Sequence, residues 1–141
     1  MERKTRTETT LQRAIDKALW LNFKHRTKNA NFKVLYSLED HFLITIPERS
    51  IFDKDDFVDL PEDYSKMTYE HIRGIASDQN PLEHWEDIKG TFAIMDGELL
   101  RYILHYKVPL EKFMRWELAA RGYDKDHKWV GFEKAETIWL E

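Results

Sequence analysis

Residues 32–47 read FKVLYSLEDHFLITIP. Phe32, Val34 and Tyr36 alternate with other residues, and after the polar link LEDH, Phe42, Ile44 and Ile46 repeat the alternation until Pro47. A two-residue period is the signature of a half-buried strand, and two such runs across a short polar link predict an antiparallel β-hairpin near residues 31–47. This stretch decides the fold class, because most of the remaining sequence has helical periodicity. The expectation is an α+β protein, predominantly helical, with five or six helices and one small hairpin.

Upstream, a helix is expected to start near Thr9 or Thr10, whose hydroxyl can accept from the free N–H groups of the first turn. Leu11, Ala14, Ile15, Ala18 and Leu19, joined by Asn22, form its predicted buried stripe, and the helix frays around residues 25–29. Downstream, residues 47–66 hold two prolines and many acids without a period, so they read as a long acidic connection. The adjacent acids Asp55 and Asp56, and Glu62 and Asp63, diverge in direction and solvate that loop. A short helix follows around residues 68–76.

Asn80, Pro81 and Glu83 have the spacing of an N-cap, first turn and capping-box acid. In the helix they open, Leu82, Trp85, Ile88, Phe92 and Met95 share one face, and His84, Asp87 and Thr91 the other. Asp96 caps a further helix with an apolar arc of Leu99, Tyr102, Ile103 and Tyr106. It breaks at 107–109, where Pro109 opens the next helix, and Gly122 closes that one as a left-handed C-cap. A last helix covers about 132–140. No linker or repeat divides the chain, so a single globular domain over residues 1–141 is expected.

With 42% hydrophobic and 13% aromatic residues, among them five tryptophans, the chain has enough apolar surface to offset the entropy of ordering. It contains no cysteine, which excludes disulfides and thiolate chemistry and fits a cytoplasmic location. No apolar run has the roughly 18–20 residues a membrane span needs, and the N-terminus lacks the apolar core of a secretory signal. Charge is segregated along the chain. Residues 1–33 carry nine Lys/Arg against three Asp/Glu, whereas residues 51–100 carry four against thirteen.

Residues 115–132, RWELAARGYDKDHKWVGF, interleave aromatics with cations as a nucleic-acid surface does. They also fall at a helix end, a turn and a helix start, and the predicted core face of Leu110, Phe113, Met114, Leu118 and Ala120 favours packing. Within that arc Glu117 and Arg121 lie at i, i+4 and are expected to form a buried ion pair, since either charge alone is costly to bury. On the first helix Arg13, Lys17, Trp20 and Lys24 are predicted to cluster opposite the core stripe, an interaction face with Trp20 as aromatic anchor. The segment 96–121 has the outline of a helix-turn-helix, but Glu111, Lys112, Arg115 and Ala119 on its second helix lack the uncompensated cations that phosphates require.

No glycine-rich phosphate loop, GxSxG elbow or HExxH is present. His84 and Asp87, three residues apart on a predicted outward face, form the one low-order polar site, with no metal or cofactor expected. The leading expectation is therefore a cytoplasmic, non-catalytic interaction or regulatory protein that self-associates as a homodimer, with another protein as a further partner. A nucleic-acid-binding protein using the basic first helix is the alternative, and a small enzyme with a His/carboxylate site comes third.

Overall fold

The computed structural model describes residues 6–8, 10–28, 30–36, 42–46 and 57–141, with side chains from residue 10 onward. They form a predominantly helical α+β protein with six α-helices and one antiparallel sheet among the described residues. The chain groups into two compact units, Met1–Ala93 and Ile94–Glu141, each described by itself.

The first unit opens with β1 (Arg6–Glu8) and α1 (Leu11–Lys24). Thr10 caps α1 by accepting from the Arg13 N–H, as its position predicts. A 3-10 turn over Arg26–Lys28 follows. The hairpin is present as β2 (Lys33–Tyr36) and β3 (Phe42–Thr45), with Val34 opposite Ile44 and Tyr36 opposite Phe42. It is the centre of a four-stranded sheet in the order β1-β3-β2-β4, where β4 is Phe57–Val58. Both outer strands escape the sequence reading because two or three residues are too few to display a period. β4 lies in the stretch expected to be an acidic connection. The 37–41 link and residues 47–56, including Asp55 and Asp56, lie outside the described residues.

Helix α1 packs on the sheet through Ala14, Ala18 and Leu21, which meet Phe32, Val34 and Ile44 in one buried cluster. Leu11 is exposed and Leu19 only partly covered, so the buried stripe is turned from the predicted one toward Asp16 and Leu21. Asn22 clamps the entry to β2: its Oδ1 accepts from the Phe32 N–H at 2.5 Å and its Nδ2 donates to the Phe32 carbonyl at 3.1 Å. Val34 and Leu35 are both buried although successive strand side chains point to opposite faces, so β2 is covered on both sides where alternation predicted one.

Two helices complete this unit. α2 (Tyr69–Ser77) is capped by Thr68. α3 (Glu83–Ala93) begins after Pro81 rather than at it, its first helical bond running from the Glu86 N–H to the Leu82 carbonyl. Asn80 does not act as the cap; its N–H is held by Asp78 and its carbonyl by Arg13. Only the start of α3 is packed, through Leu82 and Trp85, while Ile88 and Phe92 are exposed.

The second unit holds α4 (Gly97–Tyr106), α5 (Leu110–Arg121) and α6 (Phe132–Leu140). Asp96 caps α4 by accepting from Glu98 and Leu99, and Gly122 closes α5 in the left-handed region at φ 77°. α5 packs on α6 across Ala119 and Ala135, small residues that let the helices approach. The Trp139 indole N–H donates to the Tyr123 carbonyl at 2.8 Å, tying α6 to the turn after α5. No helix among the described residues is long and apolar enough to cross a membrane.

The phase predicted for α5 is overturned. Phe113, Met114 and Leu118 face solvent, whereas Ala119, assigned to the outward face, is buried. Its contact with α6 runs through an alanine, a preference for small size that a scale of hydrophobicity does not rank.

Candidate functional site

Asp16 is the polar centre of the first unit. It sits on α1 one residue beyond the apolar Ile15 and is only 2% exposed. Burying a carboxylate is costly unless its lone pairs are filled, and here four side chains fill them. His71 Nε2 lies 2.8 Å and the Trp85 indole N–H 3.0 Å from Oδ2. The Tyr64 hydroxyl donates at 2.9 Å and the Gln12 amide at 3.2 Å to Oδ1. Burial, reinforced by the neighbouring Asp16 charge, raises the Tyr64 phenol well above its ordinary pKa, so the ring remains a donor.

Secondary structure explains how these groups converge. Thr68 caps α2 so that His71 falls on its first turn, and Trp85 lies on the first turn of α3. Tyr64, His71 and Trp85 also pack as rings, with centroids 5.2–6.2 Å apart in tilted or edge-on pairs. Beside the cluster lies a cavity of about 520 Å3 lined by Asp16, His71, Gly74, Ile75, Asp78 and Trp85 among others. Arg13 reaches its rim, pairs with Asp78 and donates to the Asn80 carbonyl at 2.8 Å.

The four predicted interaction residues do share a face: Arg13, Lys17, Trp20 and Lys24 line a hollow of about 290 Å3. Its other wall is Pro81–His84, so the face is occupied from within the same unit. Trp20, expected to stand clear, is partly buried and stacks on His84 with centroids 4.7 Å apart and planes 6° from parallel. One face of the Trp20 ring is therefore taken up by its own chain.

The outward placement of His84 is corrected as well. It is partly buried between Trp20 and Trp85, and its Nδ1 is sealed from solvent without a hydrogen bond among the described residues. Burial lowers its pKa, against the raising influence of Asp16 and Glu83. Asp87 remains exposed, so the two residues do not form a joint site. The inward turn comes with the docking of the start of α3 on α1, where the His84 ring stacks on Trp20.

Glu117 and Arg121 do pair, at 2.9 Å, but on the surface: their side chains are 60% and 65% exposed. The predicted burial fails with the predicted phase of α5. Arg115 is the half-buried cation of that helix, bonded to the Trp139 carbonyl at 3.3 Å.

The second unit presents a different surface. Leu104, Tyr106, Phe113, Met114, Trp116, Trp129 and Phe132 are all more than half exposed. Trp116, Phe132 and Leu140 rim a groove of about 210 Å3 floored by Ala119 and Ala120. No group of three or more His, Asp or Glu suited to a metal ion occurs among the described residues. No protein-family model matches the chain, and neither a curated protein nor a solved structure is similar to it.

Proposed function

We propose that the protein is a non-catalytic interaction protein that self-associates through the apolar faces of its C-terminal unit, as a cytoplasmic homodimer. The carrying observation is the imbalance within Ile94–Glu141: Ala119 and Ala135 are its only buried hydrophobic residues, while nine large apolar side chains, Ile94 and Tyr102 among them, are more than half exposed. Ordering backbone costs about 1–2 kcal/mol per residue, which two alanines do not offset. Large exposed apolar patches mark association surfaces. A second copy fits as the occupant because residues 94–141 carry eight Lys/Arg against nine Asp/Glu, so like-charge repulsion between copies is small. Twofold dimers are the commonest assembly of this kind. The anchor is Trp116 at the groove between α5 and α6, in place of Trp20.

Sedimentation of the full chain at micromolar concentration tests this reading. A dimer is expected, with Trp116→Glu returning it to monomer and Trp20→Ala leaving the assembly intact. A monomer at every salt concentration sinks the proposal. A monomer that binds nucleic acid with affinity falling steeply in salt would replace it with the basic-helix alternative.

A further inference from the structure

Helix α4 carries an apolar stripe that its own unit leaves uncovered. Leu99, Tyr102, Ile103 and Tyr106 recur at i, i+3, i+4 and i+7, which places them on one face. Leu99, Tyr102 and Tyr106 are 45%, 55% and 68% exposed, and the helix buries none of its residues. The two tyrosine rings lie 5.3 Å apart along the stripe. Within the C-terminal unit α5 packs on α6, and α4 makes no comparable contact with either. Helices in proteins draw most of their stability from packing such a face.

The same unit holds a groove of matching form. Its walls come from α5 and α6 alone: Trp116, Phe132, Glu136 and Leu140 stand around Ala119 and Ala120, whose small side chains leave room for large ones. A helix lying in a groove inserts side chains at i, i+3, i+4 and i+7, the spacing of the α4 stripe. At about 1.5 Å per residue, the 10 residues of α4 and the 9 of α6 span about 15 Å and about 14 Å, so helix and groove match in length. Their charges are complementary as well. Residues 97–107 carry two Lys/Arg against one Glu, and residues 132–141 carry one Lys against three Glu.

We propose that the groove between α5 and α6 receives helix α4 of a second copy of the chain, in a reciprocal exchange about a twofold axis; this rests on the self-association proposed above and names its contact. The stripe of Leu99, Tyr102, Ile103 and Tyr106 from one copy packs on Trp116, Phe132 and Leu140 of the other, above the two alanines. The axis repeats the contact, so both uncovered surfaces of each copy are filled together. An unrelated peptide in the groove would leave the α4 stripe bare. The area is sufficient for a stable dimer. At roughly 100 Å2 of free surface each, the nine large apolar side chains more than half exposed in this unit offer on the order of 900 Å2 per copy. A stable interface takes about 800 Å2 from each partner.

The chain contains no cysteine, so single introduced cysteines report position in the full-length protein. Tyr102→Cys on the α4 stripe and Ala120→Cys on the groove floor both change exposed residues. The two variants are mixed to exchange subunits and treated with a short bismaleimide. The mixture is expected to give several times more covalent dimer than either variant alone. It should also exceed a mixture of Ala120→Cys with Arg101→Cys, which lies on the opposite face of α4. In sedimentation, Tyr102→Lys is expected to be a monomer where the unaltered chain is a dimer. An unaltered chain that is monomeric throughout overturns this inference together with the self-association. A dimer that Tyr102→Lys leaves intact, or whose mixed variants cross-link no better than the controls, leaves self-association standing and overturns the exchange of α4.

Discussion

Asp16 and His71, 55 positions apart in the chain, meet at 2.8 Å, and this contact joins α2 to the helix that carries the core. Removing the carboxylate leaves the donors of His71, Trp85, Tyr64 and Gln12 without their acceptor. Asp16→Ala is therefore expected to destabilise the protein by roughly 3–5 kcal/mol, read as a shift of the urea midpoint. A loss below about 1 kcal/mol would show that the network adds little.

His84 makes stability depend on pH. Its folded pKa is lowered, chiefly by burial, from the ordinary 6.5, so the unfolded chain takes up the proton more readily. The stabilising contribution is complete above pH 6.5. It shrinks as pH falls below that value and is gone once the folded pKa is passed. Urea denaturation at successive pH values should give a decline on acidification that is smaller in His84→Gln. Identical pH profiles for the two proteins would contradict the burial of this ring.

Glu117→Ala should cost little. The pair with Arg121 is exposed and helical at i, i+4, a class that contributes about 0.3–0.5 kcal/mol. A loss of several kcal/mol would place the pair in a buried environment after all.

Gly122→Ala should destabilise by more than its size suggests. The residue holds φ at 77°, and an added Cβ would lie 3.1 Å from Trp129 Nε1 and 3.3 Å from Phe132 Cδ1. The left-handed conformation alone costs a non-glycine residue about 1–2 kcal/mol, and the crowding adds to it. An unchanged thermal midpoint would show that the turn between α5 and α6 relaxes freely.

What the sequence determined by itself was local. Thr10 and Asp96 cap their helices and Gly122 ends α5 because a cap acts within three or four residues, all present in the same few letters. The hairpin was legible for a similar reason, since its register depends on adjacent runs of period two. The tertiary structure decided which helix faces are covered. Periodicity shows that a helix is amphipathic but not what lies against it, so Ala119 became the contact of α5 while Phe113 and Met114 were left outside. The Asp16 cluster was illegible in the same way. Tyr64, His71 and Trp85 stand 48, 55 and 69 residues from Asp16, and no local pattern marks a carboxylate whose partners arrive only when α2 and the start of α3 dock beside α1. The face of Trp20 turned inward because His84 stacks on it, an attraction that exists only once the chain has folded back on itself.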